Sequence, residues 1–184
     1  MEEKIKTLGT LNANHFSVDL DLVRLRTGKT TERIKIRHPE AAAVIPFLDA
    51  NHIVMVRQWR YAIQRETLEA PAGKADAGED LAVCARRELY EETGRRAARL
   101  IHLFEYFPAI SYSDEMIRIY AASGLSEADA RLDEDEISRV EVVETAKLQD
   151  LIVAGRIQDG KTVIAMALFR GKMERGEIPA DFFA

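Results

Sequence analysis

Residues 15–26, HFSVDLDLVRLR, alternate between apolar and polar side chains, and residues 31–37, TERIKIR, do the same. A period of two marks a half-buried strand, so the chain is expected to open on two antiparallel strands. Thr27-Gly28-Lys29-Thr30 lies between them as a hairpin turn, and His38-Pro39 ends the pair. With few large apolar residues, this opening sheet is not expected to fold alone. The pattern then changes to continuous apolar runs at 43–48 (AVIPFL) and 52–58 (HIVMVRQ), which read as strands joined by Asp49-Ala50-Asn51. A short strand over 66–70 leads through Pro71-Ala72-Gly73 into a helix over about 78–93. Further strands are expected at about 98–106, 116–122 and 138–144. Thr145 is read as the cap of a helix running to about Ala154 and closed by Gly155. A last helix runs from about Asp159 to Lys172, and Pro179 with Phe182-Phe183 forms a tail. Strands flanked by two or three helices with mixed connections predict an α+β fold, layered as an α/β/α sandwich. There is no internal repeat, low-complexity tract or linker.

The helix over 78–93 departs from ordinary amphipathic patterning. Glu88, Glu91 and Glu92 stand at i, i+3 and i+4, so one face carries all three. Leu81, Ala85 and Leu89 fall on or beside that face, which should therefore turn towards the protein body. Carboxylates there are costly unless something cationic meets them. They also crowd the last turn of the helix, where the negative end of the dipole disfavours anions. The two penalties together call for a metal ion. Oxygen ligands, with few histidines and no cysteine among them, suit Mg²⁺ or Mn²⁺ rather than zinc, and His15, His38, His52 and His102 show no shared spacing that suggests metal binding.

Composition narrows the function classes. A chain of 184 residues with 47% hydrophobic and 31% charged side chains is long enough for one catalytic domain with an added element. A formal net charge of -5 argues against a general nucleic-acid binder. No apolar run approaches the ~20 residues needed to span a bilayer, and the opening MEEKIKT is not a secretion signal. The single cysteine, Cys84, has no internal disulfide partner, which suits a reducing cytoplasm; its place within the helix reads as packing.

The stretch Gly73–Arg95, GKADAGEDLAVCARRELYEETGR, resembles the Nudix box, GX5EX7REUXEEXGU with U a bulky aliphatic. Only the last position departs, with Arg95 where an aliphatic is usual. The resemblance covers roughly residues 40–175 and implies the family's sandwich fold, preceded by a small antiparallel sheet over 1–38, with the hydrolase domain over 39–184. It implies a hydrolase that cleaves a diphosphate with Mg²⁺, or Mn²⁺, and more than one ion. Glu88 and Glu92 would be the principal metal ligands, joined by the backbone carbonyl of Ala72, with Glu91 nearby or on a further ion. Arg87, four residues before Glu91, is within ion-pair reach and would orient that carboxylate. Glu79 is expected to brace the loop before the helix.

Two further stretches resemble the ADP-ribose pyrophosphatase branch of that family: Val56-Arg57-Gln58-Trp59-Arg60-Tyr61 and Glu66-Thr67-Leu68-Glu69-Ala70-Pro71-Ala72-Gly73. In that branch Arg60 would hold the diphosphate, which a guanidinium does well. Ser113-Asp114-Glu115 matches the end of a substrate loop, with Glu115 a site residue. An acidic run, Leu132-Asp133-Glu134-Asp135-Glu136, reads on its own as a solvated loop. By resemblance it supplies Glu134 as general base and Glu136 as metal ligand, with Asp133 and Asp135 as alternatives. The usual Pro-Gly pair of the branch is missing; Ile110-Ser111 stand in that place and the proline is Pro108. The substrate therefore stays open between ADP-ribose, GDP-mannose, another sugar nucleotide and a dinucleotide. A different class, a nucleotide-sensing module that binds without cleaving, is disfavoured because the box acids are all kept. In similar enzymes the opening sheet packs on a partner, so a cytoplasmic homodimer is expected.

Overall fold

The computed structural model describes residues 1–129 and 137–184. The chain divides into two compact units, one of residues 1–40 with 106–117, the other of residues 41–105 with 118–184.

The first unit is an antiparallel sheet in the order β1 (Glu3–Asn12), β2 (Ser17–Arg24), β3 (Thr30–Arg37). The β2–β3 hairpin follows the alternation in the sequence. Strand β1 was not expected, and its register shows why: bulges between Lys4 and Lys6 and between Thr7 and Gly9 break the period of two. Strand β2 turns Asp19 and Asp21 to a buried face. Thr10 donates to Asp19 at 2.7 Å and Thr7 donates to Asp21 at 2.8 Å, while Arg37 and Lys4 pair with the same two carboxylates. On the other face Leu11, Leu20 and Ile34 stay exposed. The segment 106–117 is tied to β3: the Ile36 N–H donates to the Tyr112 carbonyl at 2.7 Å, and the Asp114 N–H donates to the Ile36 carbonyl at 3.1 Å.

The second unit is built on a mixed sheet in the order β10 (Ile137–Glu144), β5 (His52–Arg60), β4 (Ala41–Asp49), β9 (Ile117–Glu127), β8 (Arg95–Tyr106). Strand β6 (Arg65–Glu69) adds to β5 and β7 (Ala72–Lys74) adds to β4. Helices α1 (Leu81–Thr93), α2 (Thr145–Val153) and α3 (Gly160–Glu174) pack on this sheet. The continuous apolar runs of β4 and β5 are buried, as strands covered on both faces require. Phe47 stacks 4.2 Å from Phe169 of α3, and Phe182 of the tail closes on both rings. The tail is thus part of the core.

Local chemistry fixes the helix ends. Asp80 caps α1 by accepting the Ala82 N–H at 2.8 Å, and Gly94 ends it at φ 67, a left-handed conformation that a Cβ would disfavour. Thr145 is not the cap of α2: it is the first helical residue, and Glu144 holds the cap position. Its N–H is already committed to the Asn51 carbonyl at 2.7 Å. Asp159 caps α3, accepting the Thr162 N–H at 3.1 Å. Arg95 opens β8 and pairs with Glu127 of β9 at 3.2 Å. A cross-strand ion pair therefore occupies the position where an aliphatic is usual.

Candidate active site

The site grows from α1 and the loop before it. Arg87 is its organiser. Its Nε and Nη2 form a fork on Glu79 at 3.0 and 2.8 Å, and Nη2 also donates to the Lys74 carbonyl at 3.0 Å. Its Nη1 donates to Glu88 at 2.7 Å and to Glu91 at 3.0 Å. Glu79 also accepts the Asp76 N–H at 3.0 Å. The hydrogen bonds from Arg87 hold the Glu79 carboxyl at about 2, well below its ordinary value, so the brace stays charged. Loop 74–79 is therefore strapped to the helix that bears the acids.

Gly73 explains itself by what stands over it. A Cβ at this position would lie 2.1 Å from the Glu88 carboxyl carbon, so only glycine lets β7 pass beneath that side chain. Gly73→Ala should leave the fold intact, because the clash is with a side-chain end, but displace Glu88. Steady-state assays are expected to show kcat/KM falling by about a hundredfold, with far-ultraviolet circular dichroism unchanged.

Glu92 is 5% exposed. It accepts from Gln58 Nε2 at 3.0 Å and from the Ala72 N–H at 3.1 Å. Burial first, and the negative charge of Glu88 second, push its carboxyl up to about 8. Gln58 Oε1 is buried and has no hydrogen-bond partner among the described residues. Cys84 packs in the same helix, its thiol pushed up to about 12 chiefly by burial.

Arg60 stands at the end of β5 with its Nε and Nη2 on Glu69 at 2.7 and 2.5 Å. Glu69 is 3% exposed and also accepts from Thr67 and Lys161. Burial would raise its carboxyl, but Arg60 and Lys161 outweigh that and hold it at about 2. Glu115 lies in the other unit, 3.7 Å from His38 Nδ1. Glu134, Glu136, Asp133 and Asp135 lie outside the described residues.

These observations bear on a cation. Glu88, Glu92 and Gln58 offer oxygens only, one of them an acceptor with nothing to accept, and Glu92 is buried beside a like charge. That donor set fits a hard divalent ion. Among the described residues no three His, Cys, Asp or Glu side chains converge on one point, with Arg87 holding Glu88 and Glu91.

The model of the NUDIX domain matches residues 37–166. The chain belongs to the Nudix family. It is 40% identical to a methanol dehydrogenase activator of Bacillus methanolicus over 168 residues, 90% of each chain. It is 36% identical over 146 residues to the ADP-ribose pyrophosphatase of Bacillus subtilis, covering 78% of this chain and 79% of that one. In solved structures, an ADP compounds hydrolase superposes at a TM-score of 0.79 with 24% identity, covering 96% of this chain and 98% of that one, which supports the fold.

Sequence reasoning named the Nudix acids but passed over Gln58, Glu69 and Lys161. Two signals pointed to the last two. Glu69 is an acid within a strand whose neighbours Leu68 and Ala70 are buried. Lys161 is a cation in the first turn of a helix, where the dipole disfavours it.

Proposed function

We propose that this Nudix enzyme hydrolyses the diphosphate bond of ADP-ribose, or of a related nucleoside diphosphate sugar, with Mg²⁺. The products are a nucleoside monophosphate and a sugar phosphate; from ADP-ribose, AMP and ribose 5-phosphate. The observation that carries this reading is the pair of acids at the end of α1: Glu92, buried and held by Gln58 and the Ala72 N–H, and Glu88, which stands over Gly73. Nudix hydrolases generally use divalent ions. When bound, Mg²⁺ neutralises charge on the diphosphate and acidifies the attacking water.

Glu88, Glu92 and the Ala72 carbonyl would hold the ion, with Glu136 as a further ligand. Gln58 and the Ala72 N–H hold the Glu92 carboxylate in place. Arg87 fixes Glu91. Arg60 keeps one edge on Glu69 and turns the other, on a side chain 43% exposed, to the diphosphate. Water attacks one phosphorus, its proton passes to Glu134, and the other phosphate leaves with the bonding electrons. Glu115 serves substrate binding. The test is a Mg²⁺-dependent screen over ADP-ribose, GDP-mannose, other sugar nucleotides and NADH. ADP-ribose should give the highest kcat/KM, and no turnover of any of them would overturn the reading.

A second reading is favoured by the 40% identity to the methanol dehydrogenase activator over 90% of both chains: the protein stimulates a dehydrogenase. Adding it to a purified methanol dehydrogenase tests this, and unchanged turnover would exclude it.

The protein is proposed to be a cytoplasmic homodimer. Leu11, Leu20 and Ile34 leave an apolar sheet face exposed, which a second copy would cover, and no helix of the described residues is long and apolar enough to cross a membrane. Light scattering should return twice the 20.7 kDa chain mass. A stable, fully active monomer would remove this assignment.

A further inference from the structure

We propose that Lys161 is a positioning residue that keeps the positive charge of Arg60 available to an anionic ligand, acting through Glu69. The inference rests on the reading of Arg60 as the diphosphate holder and adds to it a residue from a distant helix.

Glu69 is shared. Its carboxylate accepts two bonds from Arg60, one from Thr67 and one from Lys161, so every lone-pair direction is used. Lys161 is as enclosed as its partner, with side-chain exposures of 8% and 3%. Its Nζ also reaches Asp159 Oδ1 at 3.0 Å. Asp159 in turn accepts from the N–H and hydroxyl of Thr162, and that hydroxyl accepts the Ala70 N–H at 2.8 Å. The start of α3 therefore grips two successive residues, Glu69 at the end of β6 and Ala70 just after it.

Charge decides what this does. Arg60, Lys161, Glu69 and Asp159 sum to zero. Without Lys161 the group carries a net negative charge, and Glu69 belongs to Arg60 alone. The guanidinium would then be fully neutralised, beside an uncompensated Asp159, and a diphosphate would meet repulsion. With Lys161 sharing Glu69, the outer edge of Arg60, whose Nη1 lies outside the Glu69 fork, keeps its attraction for phosphate oxygens. A neutral hydrogen-bonding side chain at 161 would preserve the grip but not the charge.

The test is calorimetric binding of inorganic pyrophosphate at fixed Mg²⁺ to the full chain, in wild type, Lys161→Gln, Lys161→Arg, Arg60→Ala and the double variant Arg60→Ala/Lys161→Gln. Lys161→Met replaces Lys161→Gln if the latter melts below the assay temperature. Lys161→Gln should weaken binding about tenfold and Lys161→Arg should restore it to within about threefold. In the Arg60→Ala background the Lys161 change should add nothing, because its effect passes through Arg60. A purely structural role would instead give additive losses. Wild type that takes no pyrophosphate, wild-type affinity in Lys161→Gln, or additive losses in the double variant would each overturn the proposal. Failure of the hydrolase reading shows separately, as no turnover of ADP-ribose by a wild type whose pyrophosphate cycle is intact.

Discussion

Glu92→Gln should lower kcat for ADP-ribose by about a thousandfold or more while leaving the melting temperature of the metal-free protein unchanged or raised. The amide keeps the shape and its oxygen can still accept the Ala72 N–H, while its NH2 meets Gln58, whose amide turns its unpartnered Oε1 round to accept. What disappears is the charge, and with it the ligand. Glu88→Gln should lose a comparable amount, because its carboxylate stands over Gly73 in the same cluster. Near wild-type turnover of either variant at saturating Mg²⁺ would sink the metal assignment.

The same residue makes stability depend on pH in a defined direction. The folded-state carboxyl of Glu92 lies at about 8 against an ordinary 4.5, so between these values the folded state holds a proton that the unfolded state has released. Stability of the metal-free protein should therefore fall as pH rises through this window. Mg²⁺ opposes that loss, so its effect on the melting temperature should be larger at pH 8.5 than at pH 5. In Glu92→Gln this part of the pH dependence should be gone. An equal Mg²⁺ effect at both pH values in the wild type would contradict the linkage.

Phe182→Ala should cost about 3–5 kcal/mol of folding stability, read as a lower denaturant midpoint and a melting temperature lower by about 10 °C. Phe182 is 1% exposed, and its ring lies 5.6 Å from Phe169 and 6.1 Å from Phe47. Its carbonyl also accepts from the buried hydroxyl of Ser123 in β9. Truncation to alanine opens a cavity between a strand, a helix and the tail, and none of these can close it alone. The ring partners of Phe182 are Phe47, Phe169 and Phe183, none a site residue, so kcat measured well below the melting temperature should be unchanged. A midpoint within about 0.5 kcal/mol of wild type would show that the tail is dispensable to the core.

The contrast between these residues shows what a linear sequence reveals. The acids of α1 were legible because helical spacing alone brings Glu88, Glu91 and Glu92 to one face. Strands β4 and β5 were legible because each is a continuous apolar run. Strand β1 was not, since two bulges destroy its alternation. Phe182-Phe183 read as a tail because nothing local says which core a terminal aromatic will enter. Lys161 and Glu69 lie 92 positions apart, and their union depends on α3 meeting β6. Thr145 looked like a cap, but it is the first helical residue and its buried hydroxyl accepts no helical N–H. Local rules placed the acids; tertiary contacts chose their supports.

Cys84 has a practical consequence. The molecule's one thiol is enclosed in α1 and shifted to about 12, so at neutral pH almost none of it is the reactive thiolate. Alkylating dyes and mild oxidants should pass it by. A cysteine introduced on the outer surface would then be the sole attachment point for a fluorophore or spin label, with the native thiol left in place.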